Sequence, residues 1–226
     1  MPFDPLYLII SLPALLLAMG AQFLVKSTFS RYQKVRAASG LTGAQAAMAM
    51  LAGVGITDCR LERVNGTLTD HYDPSQKVLR LSPDVYDGQS LSAIGVACHE
   101  AGHAIQHAQA YAWLGLRTAF VPIVNFSNKA CYLLMVLGML LSVPLLVNLG
   151  MLLFCAAVLF SIITLPVEWD ASRRAKQLVV SQGLVSPAEV GGMGSVLNAA
   201  FMTYICAVIQ SLSTLLYYFI RSRSRR

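Results

Sequence analysis

Two histidines and one glutamate in the run His99-Glu100-Ala101-Gly102-His103 have the residue types and the spacing of a metal-dependent hydrolase. The run lies in a segment, Leu91 to Ala110, whose pattern predicts a helix. Residues four apart share one face of a helix, so His99 and His103 can bind one metal ion through their imidazoles. Glu100 is then close enough to accept a proton from a metal-activated water without binding the metal itself. The motif therefore predicts zinc-dependent hydrolysis with Glu100 as the catalytic base.

A zinc site of this kind has a third protein ligand, and the chain has only four histidines. His107 lies eight residues after His99, about 12 Å along a helix axis, which is too far for a shared metal ion. Gln109 occupies the position at which the longer H-E-x-x-H-x-x-G-x-x-H motif has its third histidine. His71 lies on a predicted strand, where an exposed or substrate-facing position is the better interpretation. The remaining candidates are carboxylates.

Glu168 and Asp170 are the carboxylates best placed to complete the site. They directly follow a long apolar segment that begins after the motif and can cross a membrane twice. Two crossings return the chain to the side that it left, so Glu168 and His103 can meet. We predict Glu168 as the third ligand of one zinc ion per chain. The alternative is that both carboxylates are charges at the membrane edge, paired with Arg173 and Arg174.

The composition is that of an integral membrane protein. Of 226 residues, 56% are hydrophobic and only 12% are charged, which lies far outside the range of soluble proteins. The net charge of +6 is explained by basic residues that flank membrane segments and contact the lipid bilayer. No basic domain with interspersed aromatic residues is present, so no nucleic acid is expected as a partner. The five cysteines are scattered singly, which favours buried side chains over disulfides or a cysteine metal site.

The first apolar segment, Leu6 to Val25, predicts a transmembrane anchor. A signal peptide normally has a basic residue before its apolar segment. No lysine or arginine precedes this segment, so we expect it to be retained as an anchor. Four basic residues follow it at once: Lys26, Arg31, Lys34 and Arg36. By the positive-inside rule this side of the membrane is the cytoplasmic one, and the motif lies on the same side.

Two later apolar segments predict three more crossings. Ala130 to Val167 has no charged residue and is too long for one crossing, so we expect two crossings joined by a turn between Pro144 and Gly150. The segment Ala199 to Ile220 predicts the last crossing. A basic tail follows it and contains Arg221, Arg223, Arg225 and Arg226. Four crossings would place both termini outside the cell, whereas the arginines favour the cytoplasm. A last helix that does not cross fully is the alternative.

Between the anchor and the motif the pattern predicts small elements of secondary structure. Thr42 and Gln45 form a capping box for a helix to about Leu51, and Ser82-Pro83 begins a short helix. Strands are predicted over Leu68 to Tyr72 and Lys77 to Leu81, with an Asn65-Gly66 hairpin turn before them. We expect a small antiparallel sheet beside the motif helix. Such a sheet could bind an extended peptide substrate or only support the helix.

We therefore expect a mainly α membrane protein with a zincin-like active-site helix, a small antiparallel β-sheet and about four transmembrane helices. The predicted segments are an N-terminal anchor (1–25), a catalytic region (26–119), a transmembrane hairpin (120–167), a helical segment with the third ligand (168–198), and a C-terminal transmembrane helix with its basic tail (199–226).

Several stretches of the chain resemble the bacterial membrane zinc metallopeptidases of the YugP type. These stretches are Leu68 to Pro74, Val78 to Ser82, His99 to Gln109, Val121 to Phe126 and Leu165 to Arg174. The resemblance implies a membrane-embedded peptidase. More distantly, Glu168-Trp169-Asp170-Ala171-Ser172 is similar to the Glu-x-x-Ala-Asp segment of the HtpX-type peptidases, in which the glutamate is the third metal ligand. The aspartate of that segment is Ser172 here, which leaves Asp170 to substitute for it or only to act as a cap.

The function expected from these features is zinc-dependent endopeptidase activity in the bacterial plasma membrane, with the active site on the cytoplasmic side and peptides or membrane proteins as substrates. A catalytically silent scaffold or adaptor with a structural metal site is the alternative. Glu100 argues against it, because a structural site has no use for a base at that position. A transporter is disfavoured because the long apolar segments lack charge. The candidates for the donor that stabilises the oxyanion are His71, Tyr72 and Arg173.

Overall fold

The computed structural model describes residues 4–223, which form seven helices and one three-stranded sheet. The elements are α1 (Pro5–Gln33), α2 (Gly43–Ala52), β1 (Arg60–Arg63), β2 (His71–Asp73), β3 (Val78–Leu81), α3 (Pro83–Tyr86), α4 (Leu91–Ala108), α5 (Ala112–Leu140), α6 (Pro144–Ser181) and α7 (Val190–Arg223). The predicted fold class, a mainly helical membrane protein, is confirmed.

Four helices of the described chain, α1, α5, α6 and α7, are long and apolar enough to cross a membrane. The apolar hairpin turns earlier than predicted, because α5 ends at Leu140 and α6 begins at Pro144. Proline fits the first turn of a helix, where its missing N–H is not needed, so Pro144 starts α6 instead of breaking it. Helix α6 then continues for 38 residues without a break through Glu168. The second crossing of the hairpin and the predicted third ligand therefore share one helix, α6.

The chain divides into two compact units. The membrane unit consists of Met1–Ala21, Gly115–Pro166 and Met202–Arg226, and the motif unit consists of Gln22–Leu114 and Val167–Phe201. The segment boundaries predicted at residues 120 and 168 fall inside α5 and α6, and the division into five segments stays a prediction.

In the membrane unit, the start of α1 contacts the end of α7. The carboxylate of Asp4 accepts a hydrogen bond from the Tyr217 hydroxyl at 3.1 Å and lies 3.4 Å from Nε of Arg221. The described end of α7 thus lies beside the start of α1, and a last helix that does not cross fully stays an alternative. Of the predicted basic tail, Arg225 and Arg226 lie outside the described residues.

The motif unit has its hydrophobic core around α4. Helix α2 packs on α4, and the predicted capping box at its start is present, with Thr42 and Gln45 bonded to each other's backbone. Ser90 caps α4 by accepting a hydrogen bond from the backbone N–H of Ala93 at 3.2 Å. Thirteen of the 18 residues of α4 are buried, so the motif helix is a central element of this unit.

The sheet of the motif unit is mixed, which differs from the antiparallel sheet that we expected. Strand β3 is central, pairing antiparallel with β2 and parallel with β1. The hairpin turn lies between β2 and β3, where Asp73 accepts hydrogen bonds from the backbone N–H groups of Ser75 and Gln76. Asn65-Gly66 instead lies in the longer connection that carries the chain from β1 past β3 to the far edge. An Asn-Gly pair marks a turn but does not determine which strands pair.

Candidate metal centre

Helices α4 and α6 approach each other closely at Gly102, inside the motif. A Cβ atom at this position would lie 2.7 Å from the carbonyl oxygen of Ala171, closer than real Cβ contacts. Glycine is the residue that permits this approach between two backbones. The contact brings the motif face of α4 against the part of α6 that contains Glu168.

We expect Gly102→Ala to destabilise the protein by about 1–3 kcal/mol, because backbone atoms at the contact cannot move aside as a flexible side chain can. The measurement is thermal unfolding of the detergent-purified protein. Gly191→Ala is the matched control, since Gly191 is also helical and a Cβ there meets nothing within 4 Å. An unchanged melting temperature for Gly102→Ala would contradict the close approach.

The structure brings His99, His103 and Glu168 together. One donor atom from each of the three side chains lies within 4.8 Å of the others. Nε2 of His99 is 3.1 Å from Oε2 of Glu168, and Nε2 of His103 is 3.6 Å from Oε1. Glu168 is only 1% exposed and His103 only 7%. The three residues that the sequence predicts as metal ligands thus lie together in the structure.

Both imidazoles are oriented through their other ring nitrogen. Nδ1 of His99 is hydrogen-bonded to the hydroxyl of Ser172 at 3.0 Å, and Nδ1 of His103 is hydrogen-bonded to Oε1 of Gln106 at 3.0 Å. Each Nε2 is thereby directed toward Glu168. Metal-binding histidines are held in this way in proteins, because a bond at one nitrogen fixes the ring and leaves the other free to bind the metal.

Gln106 links His103 to α6. It is fully buried, and its amide nitrogen donates to the carbonyl oxygen of Val167 at 2.8 Å and to Oδ2 of Asp170 at 3.0 Å. The carboxylate of Asp170 is also bound by Arg173, at 2.8 Å, and by Arg174. Asp170 therefore lies outside the three-residue cluster and acts on His103 only through Gln106.

The donor set fits zinc. Two imidazole nitrogens and one carboxylate oxygen are the protein ligands of a catalytic zinc site with one open position. The carboxylate of Glu168 is buried, and it lies against both imidazoles. Burial lowers the pKa of His103, but the hydrogen bond and charge of Glu168, the charge of Glu100 and the hydrogen bond to Gln106 together outweigh burial and raise it. Both carboxylates therefore contribute a negative potential at the imidazole of His103.

The carboxylate of Glu100 is half-buried beside this cluster. Within residues 4–223 it has no hydrogen-bond or ion-pair partner, although it contributes to the negative potential at His103. A carboxylate that no neighbour neutralises is available to accept a proton, which is the role predicted from the motif.

The other two histidines are outside the cluster, as expected. His71 is exposed on β2 and its Nδ1 bonds the carbonyl oxygen of Thr69 at 2.8 Å. Nδ1 of His107 lies 2.8 Å from the Tyr72 hydroxyl, which joins α4 to β2. Burial raises the pKa of Tyr72 to about 12, so its hydroxyl stays protonated at neutral pH.

The sequence does not predict two residues of this arrangement. Gln106 lies three residues after His103 and therefore on the same side of the helix. Ser172, which departs from the related Glu-x-x-Ala-Asp segment, occupies the place of its aspartate and is the partner of His99. A polar residue within an otherwise apolar face of the motif helix is the signal that could have found Gln106.

The chain is similar to proteins whose descriptions name zinc peptidases and membrane proteases. Residues 7–223 match the family model described as "Putative neutral zinc metallopeptidase". The chain is 50% identical over 211 residues to the "Putative membrane protease YugP" of Bacillus subtilis (strain 168), an alignment that covers 93% of this chain and 94% of the relative. No solved structure shows a significant match to the chain.

Proposed function

The chain belongs to the family described as putative neutral zinc metallopeptidases, and from this premise we propose that it is a membrane-embedded zinc-dependent endopeptidase. The observation that carries the proposal is the convergence of a buried glutamate from α6 on two histidines of α4. Glu100, which has no ion-pair partner among residues 4–223, is the neighbour of His99 in the motif. Peptides or membrane proteins are the proposed substrates, and one zinc ion is bound per chain.

His99, His103 and Glu168 are the proposed zinc ligands. When bound, zinc supplies a Lewis acid that polarises the scissile carbonyl and lowers the pKa of a water molecule. Ser172 and Gln106 hold the two imidazoles in the tautomer that presents Nε2. The burial of Glu168 and His103 excludes bulk water from the inner side of the site, which strengthens the electrostatic interactions there.

Glu100 is the proposed catalytic base and acid. One of its carboxylate oxygens accepts the proton of the attacking water and then delivers a proton to the amide nitrogen of the leaving group. Edge strand β2, which packs on α4 through the Tyr72–His107 contact, is the proposed support for an extended substrate peptide.

We place the protein in the bacterial plasma membrane with the motif unit on the cytoplasmic side. The basic residues Lys26, Arg31, Lys34 and Arg36, all in the motif unit, support this orientation.

The proposed endopeptidase activity is tested with unfolded casein as the substrate of the detergent-purified protein. Mass spectrometry identifies the fragments that are formed. Cuts at internal peptide bonds are the result expected of an endopeptidase. Release of terminal residues alone would contradict an endopeptidase.

The buried Gln106 gives a prediction for metal affinity. Gln106→Leu is expected to weaken zinc binding by roughly 10- to 100-fold, because His103 loses the bond that orients its ring. The measurement is competition for zinc with a chromogenic chelator. Gln109→Leu is the matched control, because Gln109 caps the end of the same helix, and within residues 4–223 its side chain bonds only Arg174. Equal zinc affinity of the two variants would contradict the orienting role of Gln106.

A further inference from the structure

Helix α5 exposes polar side chains within a segment that crosses the membrane. Asn125, Asn128 and Lys129 are all exposed, and they lie at positions i, i+3 and i+4 of the helix, so they form one stripe. Their side chains have no hydrogen-bond or ion-pair partner within residues 4–223. We call these three residues the α5 polar stripe. Around it the exposed residues are apolar or aromatic, such as Phe126 and Tyr132.

The stripe lies near the middle of the membrane crossing. The contacts between α5 and α6 show this: a Cβ at Gly150 would be 2.8 Å from the carbonyl oxygen of Cys131, and the rings of Tyr132 and Phe154 are 6.0 Å apart. This antiparallel register places Lys129 level with about residues 152–157 of α6. That segment is the middle of the uncharged run Pro144 to Val167.

Lys129 has no anionic partner in the described part of the membrane unit. The only carboxylate in the described part of this unit is that of Asp4, which already binds Tyr217 and Arg221. Lipid head groups are also out of reach, because Lys129 lies about 16 Å along the helix from its nearer end at Leu140. A lysine stem is much shorter than this distance, so the ammonium group cannot reach the interface by snorkelling.

A second copy of this chain would not neutralise Lys129 either. Pairing two α5 helices would bring a second Lys129 to the interface and no carboxylate. Lys129 therefore lacks a negatively charged partner near the middle of the membrane. A transmembrane helix with an aspartate or glutamate near its centre supplies that charge, and the two asparagine amides can bond the polar groups around it, since each amide both donates and accepts.

We propose that the α5 polar stripe is a docking surface for the transmembrane helix of another protein that carries a carboxylate at mid-span. The carboxylate accepts hydrogen bonds from the Lys129 ammonium and from the amide nitrogens of Asn125 and Asn128. This surface lies in the membrane unit and does not depend on the peptidase activity.

Three synthetic transmembrane peptides test the proposal. They are leucine-rich helices of about 20 residues whose central residue is Glu, Gln or Leu, each with a fluorescent label. Energy transfer to the labelled full-length protein is measured in liposomes of neutral lipid. We expect the Glu peptide to bind at least about fivefold more tightly than the Leu peptide, with the Gln peptide between them.

The variant Lys129→Leu should bind the Glu and Leu peptides equally, and Lys129→Arg should retain the preference. Lys26→Leu is the control, because it removes one positive charge from an exposed position of α1 outside the membrane unit. Thermal unfolding verifies that each variant is folded. Equal binding of all three peptides by the unaltered protein would overturn the proposal. So would energy transfer between two labelled copies of the protein that is lost in Lys129→Leu, because the stripe would then serve self-association.

Discussion

Glu100→Gln is expected to bind zinc as the unaltered protein does and to cleave casein about 1000-fold more slowly. Glutamine has the same shape but cannot accept the proton of the attacking water. The carboxylate of Glu100 has no hydrogen-bond partner within residues 4–223, so its replacement should leave the packing of α4 unchanged. Zinc content by mass spectrometry and the initial rate of casein cleavage are measured on the same detergent-purified sample.

The conservative variant Glu100→Asp provides the control for this prediction. It keeps the base but withdraws it by one methylene group, so an intermediate rate is expected. Full activity of Glu100→Gln would show that the base is another group and would remove Glu100 from the mechanism. Loss of zinc in Glu100→Gln would mean instead that Glu100 takes part in metal binding.

Glu168→Ala is expected to lower zinc affinity by at least about 100-fold and to abolish cleavage at micromolar zinc. The side chain is buried against both imidazoles, so its removal deletes one of three ligands and leaves two histidines that bind zinc weakly. Zinc affinity is measured by titration against a chelator at pH 7.

Asp84→Ala is the control for the loss of one carboxylate. Asp84 is exposed and has no side-chain hydrogen bond or ion pair within the described part of the chain, so zinc affinity should stay unchanged. If Glu168→Ala bound zinc as tightly as Asp84→Ala, Glu168 would not be a ligand, and a search among other side chains would follow.

Much of the fold could be predicted because hydropathy and capping are local signals. The number of membrane-crossing helices, the capping box at Thr42 and the limits of α4 to within two residues agree with the structure. The pairing of β1 with β3 could not be predicted, because it depends on where the chain from Val64 to Asp70 runs, and a turn dipeptide does not encode that path. The start of α5 at Ala112 was also missed, since its first half mixes apolar and polar residues.

The ligand cluster could be predicted, but the groups that orient it could not. The motif specifies two histidines and a base, and the count of crossings brings Glu168 to the same place. Gln106 and Ser172 act through the packing of α4 on α6, which depends on the contact at Gly102 and Ala171. Such contacts arise between residues about 70 positions apart, so the sequence gives no local signal for them.

The most direct test of a metal-dependent reaction at this site is to remove the metal from the purified protein and to follow casein cleavage while zinc is added back. We expect no cleavage without metal, and a rate that rises in proportion to zinc and reaches its maximum at about one equivalent per chain. Undiminished cleavage by the metal-free protein would contradict a zinc-dependent peptidase, because the arrangement of His99, His103 and Glu168 would then have no part in the reaction.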